Sequence, residues 1–151
     1  LVAKWTVGLI NSFLPMDAAG VFTFRMDGSQ WDCLFAHGDC FHIGNLDVQA
    51  IFSPGHTLAS VTYLAGNSAF IHDTLLMPDF GTARCDFPGG NPEQMYNSLT
   101  QKLMALPDET ILFPGHNYAP LKHATMGEQK KTNPYLRFSS LKQFLASTGY
   151  S

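Results

Sequence analysis

The sequence predicts an α+β fold in which a strand-rich stretch is covered by helices that follow it. Three observations carry this reading. Short apolar runs broken by turn residues fill residues 40–72, the helices that follow them begin after residue 91, and one further strand pattern returns at 110–113. Strand clusters followed by helices point to sheets covered by helices, not to a doubly wound parallel sheet. A chain of 151 residues fits one domain with a real core. Hydrophobic residues make up 45% and charged residues 14%, a balance that excludes a disordered chain. The net charge of −3 leaves no basic excess for nucleic acid or an anionic membrane. No apolar run approaches the ~18 residues that cross a bilayer.

Taken in order, residues 1–16 carry Trp5, Val7, Leu9, Ile10, Phe13 and Leu14, which reads as a short helix ending near Pro15. Residues 17–32 read as loop with some strand. Turn signals at Gly38-Asp39 and Gly44-Asn45 frame strands at 40–43 and 46–52. In the second strand Leu46, Val48, Ala50 and Phe52 alternate with Asp47, Gln49 and Ile51. Strands at 60–64 and 69–72 are joined by Ala65-Gly-Asn-Ser68, a hairpin turn. Residues 77–92 form a long loop whose aromatic residues argue for order. Asn91-Pro92-Glu93 then opens a helix, with Asn as cap, Pro at its first position and an acid in the first turn. Met95, Leu99, Leu103 and Leu106 form its apolar stripe, and Pro107-Asp108 ends it. Further helices are expected at 124–131 and 140–147, the last stopped by Gly149.

The chemistry concentrates where strands end. The strand before Ser53-Pro-Gly-His56 delivers His56, the strand before His72-Asp73 delivers Asp73, and Phe113-Pro-Gly-His116 repeats the first pattern. A lone histidine after a turn is more often a hydrogen-bonded loop residue, so the case rests on the three together. Imidazole and carboxylate donors suit Zn(II) or Fe(II). Two His and one Asp are also part of what a facial triad needs. Strand alternation turns His72 away from Asp73, which reads as packing. His37, His42 and His123 read as surface or turn residues. Cys33, Cys40 and Cys85 are an odd set without a CxxC pair. They read as small half-buried thiols in a reducing compartment, so a cytoplasmic location is expected.

These segments resemble the metallo-β-lactamase superfamily. Ser53-Pro-Gly-His-Thr-Leu-Ala-Ser-Val-Thr-Tyr63, Phe70-Ile-His-Asp-Thr-Leu75 and Phe113-Pro-Gly-His-Asn-Tyr118 carry the likeness. It is nearest to the branch that holds glyoxalase II and the persulfide dioxygenases. The loop Met77-Pro-Asp-Phe-Gly-Thr-Ala-Arg-Cys-Asp-Phe-Pro-Gly-Gly90 is similar to the persulfide dioxygenase side. The match runs from about Asp27 to Tyr135. It implies an αββα sandwich with the metal at one edge of the sheets, and His56, Asp73 and His116 as metal-site residues. It also implies Arg84 and Tyr118 as contacts for a glutathione-type thiol.

The pattern departs from the family at one point. The superfamily motif His-x-His-x-Asp-His does not occur, and no His precedes His37. What is present resembles the C-terminal two-thirds of the domain. Three expectations follow: a segment upstream of Leu1, which is not Met; a natural truncation covered by a partner chain; or a non-catalytic remnant of the fold. If the chain is complete, its exposed apolar sheet favours a homodimer. With the site whole, the resemblance implies an Fe(II) dioxygenase oxidising a small-thiol persulfide. The alternative it implies is a dinuclear, glyoxalase II-like thioester hydrolase with Fe or Zn, in which His116 is a required ligand.

Overall fold

The structure is a computed structural model that describes residues 5–6, 34–116 and 118–150. The expected loop at 17–32, most of the expected helix at 1–16, and Cys33 lie outside the described residues. The chain divides into two compact units, residues 1–37 and 38–151. In the first, β1 (Trp5–Thr6) pairs antiparallel with β2 (Leu34–Phe35). Trp5 and Thr6 are therefore strand where a helix was expected. Both are residue types that favour strands over helices.

The second unit holds one six-stranded sheet in the order β3-β4-β5-β6-β7-β8. Its strands are β3 (Cys40–Ile43), β4 (Leu46–Phe52), β5 (Val61–Ala65), β6 (Ser68–His72), β7 (Ile111–Pro114) and β8 (Ala124–Thr125). The first four form an antiparallel meander with two-residue turns at 44–45 and 66–67. The connection from β6 to β7 is a crossover, and these two strands pair parallel. β8 closes the sheet antiparallel to β7.

The crossover begins as the loop at 73–90 and continues into α1 (Pro92–Asn97). Asn91 caps α1 as expected: its side-chain oxygen accepts the Gln94 N–H at 2.9 Å. The helix then widens into a π-helical segment, Ser98–Leu103. Met95, Leu99 and Leu103 recur every four residues, slightly more than the 3.6-residue α period. The wider winding keeps this stripe on one face, and all three side chains are fully buried. They meet Ala69, Ile71 and Leu112 from the centre of the sheet and Leu136 and Phe144 from the C-terminal helices.

α2 (Met126–Thr132) starts with a reciprocal capping box between Thr125 and Glu128. α3 (Leu141–Thr148) is capped by Ser140 and ends at Gly149 in the left-handed conformation. Among the described residues, no helix is long and apolar enough to cross a membrane.

The loop at 73–90 is ordered by buried polar groups. The Asn133 amide donates to the carbonyls of Leu76 and Gly81 at 3.2 and 3.1 Å, and Gln129 donates to Leu76 at 3.1 Å. Both side chains are fully buried, so each carbonyl they bind would otherwise lose its water without replacement. Farther along, the Cys85 N–H donates to the Tyr150 hydroxyl at 2.6 Å. Of the half-buried thiols expected, Cys85 is buried, but Cys40 lies exposed on β3, whose outer edge has no neighbouring strand among the described residues.

Two measurements test this packing. α1 crosses so close to the turn after β4 that a Cβ on Gly55 would sit 2.4 Å from the Met95 Cα. Gly55→Ala is expected to lower the unfolding free energy by about 1–3 kcal/mol, the usual cost of overpacking, read as a lower urea midpoint. Burial, with Asp86 adding to it, pushes the Cys85 thiol up to about 11. The ordinary thiol value is about 8.5, so the folded state holds this proton more tightly than the unfolded chain. Stability from this group is complete below about pH 8.5 and is lost as pH rises towards the folded value. In urea titrations between pH 8 and 10.5, Cys85→Ala is expected to lose less stability than the parent chain.

Candidate metal centre

Strand direction gathers the site. β4 is antiparallel to β5, β5 to β6, and β6 is parallel to β7. β4, β6 and β7 therefore run the same way and end at the same edge of the sheet. His56 follows β4, Asp73 follows β6 and His116 follows β7. Open sheets commonly place ligands beyond the carboxyl ends of parallel strands.

Asp73 is the centre of the group, with its side chain 7% exposed. Its Oδ1 accepts a hydrogen bond from His116 Nδ1 at 2.6 Å. Its Oδ2 lies 3.7 Å from His56 Nε2 and 3.8 Å from His72 Nδ1, both beyond a normal hydrogen bond. Gly115 makes this approach possible, because a Cβ there would stand 2.9 Å from Asp73 Oδ1. The Gly115 N–H also donates to the His72 carbonyl at 2.9 Å, locking the ends of β6 and β7 together.

The tautomer of His56 follows from its other nitrogen. His56 Nδ1 sits 2.6 Å from the Arg84 carbonyl, which can only accept, so Nδ1 carries the proton. In its neutral form His56 then turns the Nε2 lone pair towards the Asp73 carboxylate. Two electron-pair donors facing each other at 3.7 Å, largely shielded from water, suit a cation between them. The turn carrying His56 is braced from below. Ser98 Oγ donates to the Pro54 carbonyl at 2.7 Å, and the Thr74 hydroxyl lies 3.2 Å from both the carbonyl and the hydroxyl of Ser53. The loops that hold His56 and Asp73 are thus joined through buried hydroxyl groups.

Arg84 and Tyr118 both border this group. The Arg84 guanidinium is paired in a fork with Asp86 and lies 4.7 Å from the centre of the Phe87 ring. The side-chain hydrogen bonds from Arg84 hold the Asp86 carboxyl below the usual carboxylate range. Phe87 in turn meets the His56 ring edge-on at 5.3 Å. Tyr118 stacks on His116 at 5.4 Å and also contacts Phe80.

His72 departs from the sequence expectation. Its side chain is 58% exposed, and it does not pack. The register shifts between Phe70 and His72, and His72 adopts a φ of +48°. Simple alternation fails across such an irregularity and leaves the imidazole beside Asp73. The only sequence signal was its position next to the aspartate at a strand end. Among the described residues, no three His, Cys, Asp or Glu side chains stand close enough to close a metal cage as they are. The donors are gathered around one carboxylate without being closed upon an ion. His37 and His42 are exposed, His42 beside Asp47 at 2.8 Å, and His123 lies against the Phe113 ring.

Known proteins resemble this chain in sequence and in fold. No family model matches the chain. A beta-lactamase hydrolase-like protein of Agrobacterium fabrum is 58% identical over 118 residues, 75% of this chain and 27% of that protein. The persulfide dioxygenase ETHE1 of Bos taurus is 34% identical over 134 residues, 87% of this chain and 51% of that protein. Among solved structures, ETHE1 from Myxococcus xanthus superposes with a TM-score of 0.75 at 38% identity, covering 80% of this chain and 53% of that one. A di-iron-bound form of TTHA1623 is similar at a TM-score of 0.53 and 31% identity, covering 64% of this chain and 45% of that one. The chain therefore spans about a quarter of the Agrobacterium protein's length and about half of the ETHE1 proteins'.

Proposed function

Because the chain belongs to the metallo-β-lactamase superfamily and has its fold, we propose that it serves a metal-dependent enzyme of the persulfide dioxygenase type. The metal in this reading is Fe(II), and the substrate is a glutathione-type persulfide. The observation that carries the proposal is the buried Asp73 carboxylate, faced by Nε2 of His56 at 3.7 Å at the ends of strands that run the same way.

His56 and Asp73 fit such a metal, because one offers the imidazole nitrogen that its hydrogen bond to the loop leaves unused and the other a shielded carboxylate. When bound, the metal would bring oxygen and the persulfide sulfur together and tune their electronics. The protein's own groups do the rest. His116 donates to Asp73 Oδ1 and so fixes which oxygen faces His56. Phe87 against His56, and Tyr118 with Phe80 at His116, form an aromatic rim beside the site. Arg84 and Tyr118 are the groups that would receive the thiol carrier. A substrate carboxylate reaching Arg84 must exchange with Asp86, which already occupies its fork.

A second reading is a dinuclear thioester hydrolase of the glyoxalase II type. The similarity to a di-iron-bound structure favours it, as does His116, whose Nδ1 is engaged while Nε2 is not. The two readings differ on His116.

Metal retention tests the proposal. The full chain, loaded anaerobically with Fe(II) and desalted, is expected to keep iron, and Asp73→Ala to lose it. Retention of only a small fraction of an equivalent by the parent chain would overturn both enzyme readings. His116→Ala then separates them. Persulfide oxidation is expected to fall by about 10–100-fold, as when a partner behind a metal ligand is removed. Complete loss, together with thioester hydrolysis in the parent chain, would favour the hydrolase.

A further inference from the structure

One peptide group in the loop at 73–90 carries two of the contacts described above. The Arg84 carbonyl lies 2.6 Å from His56 Nδ1. The Cys85 N–H donates to the Tyr150 hydroxyl at 2.6 Å. That carbonyl and that N–H belong to the same peptide plane, between Arg84 and Cys85. In a trans peptide the two point in opposite directions, and the plane turns as one body. His56 and Tyr150 therefore hold opposite edges of a single rigid unit. The tyrosine is itself fixed. Gly149 ends α3 in the left-handed conformation, the Tyr150 N–H donates to the Leu145 carbonyl at 3.0 Å, and the ring packs against the core.

We propose that Tyr150 is a positioning residue for His56, acting through the Arg84–Cys85 peptide. Cys85 is buried, so turning the carbonyl away from His56 would strand its N–H without a partner. An acceptor on the N–H side also polarises the amide and strengthens the hydrogen bond that its carbonyl accepts. The bond made by one imidazole nitrogen sets where the other points. The end of α3 thus sets the direction in which His56 Nε2 faces Asp73 Oδ2. Other contacts of His56 among the described residues are less directional: Phe87 meets its ring edge-on, and Asp73 lies beyond hydrogen-bond distance. The loop is pinned elsewhere as well. The Thr82 hydroxyl donates to the Thr74 carbonyl and the Asn91 N–H to the Gly55 carbonyl, both at 2.8 Å. Loss of the Tyr150 hydroxyl therefore leaves the loop in place and frees this one peptide. The link runs through backbone and hydroxyl groups alone and does not depend on what His56 binds.

Tyr150→Phe removes the hydroxyl and keeps the ring. The full chain and this variant, without added metal, are compared by NMR with isotope-labelled histidine and by thermal melting, and His56→Gln assigns the signal. The parent is expected to show the His56 Nδ1 proton as a resonance protected from exchange with water. In Tyr150→Phe its exchange is expected to quicken at least about fivefold, the effect of losing one hydrogen bond of ordinary strength. The melting temperature is expected to fall by no more than about a few degrees. Unchanged exchange in Tyr150→Phe overturns the proposal, and a lower melting temperature beside it shows a tyrosine that only supports the fold. A parent chain without a protected His56 Nδ1 proton overturns it too. Iron retention enters none of these outcomes, so failure of the metal reading and failure of this inference are read separately.

Discussion

The parallel pairing of β6 with β7 is the constraint on which the site depends. Every earlier strand in this sheet is a meander partner of its neighbour, which sends alternate strand ends to opposite edges. Only a crossover can bring two neighbouring strand ends to one edge. The loop at 73–90, α1 and the π-helical segment form that crossover, and their buried side chains cover the sheet they cross. Pairing His72 with Pro114 then fixes Asp73 against Gly115 and His116. Without the glycine the two ends would stand apart, because a Cβ would meet the carboxylate oxygen.

Burial of the Asp73 carboxylate is what makes the arrangement chemical and not merely compact. A shielded carboxylate is costly unless hydrogen-bonded or paired with positive charge. His116 satisfies one oxygen. The other faces two imidazole nitrogens that lie beyond hydrogen-bond distance. Surrounding groups hold this geometry in place. The Ser53–Thr74 contacts tie the two loops together, and Asn133 and Gln129 anchor the segment just beyond Thr74. Such support is what keeps donor atoms from relaxing into direct hydrogen bonds with one another.

Much of this was legible in the sequence because it depends on local rules. The strands at 40–43 and 46–52, the Asn91-Pro92 helix start and the Gly149 stop each follow from turn chemistry or capping that acts within a few residues. His56, Asp73 and His116 could be named because each closes an apolar run. Their convergence could not be derived from those runs, since it depends on which strands share a direction. His72 was misread for a related reason. Strict alternation assumes an unbroken ladder, and the irregularity after Phe70 reverses the side on which His72 stands. Cys40 was misread because a hydrophobic thiol was assumed to sit inside, whereas among the described residues no strand covers the outer edge of β3.

The division of labour between strands and loop has a further consequence. The donors lie at the ends of strands, where ladder hydrogen bonds and a buried core define their positions. Arg84, Phe87 and Tyr118 are exposed and lie on loops. Arg84 pairs with Asp86 and lies over Phe87, Phe87 meets His56, and Tyr118 stacks on His116 and meets Phe80; these contacts are weaker constraints than burial. In the proposed metal reading, a scaffold built this way keeps its metal site while the loop at 77–90 changes the molecule received. The His56–Arg84 hydrogen bond is the point where the two parts meet, because the loop backbone there holds the Nδ1 side of His56. In that reading, changes in the loop that preserve that carbonyl should alter substrate choice, and changes that move it should alter the metal site itself.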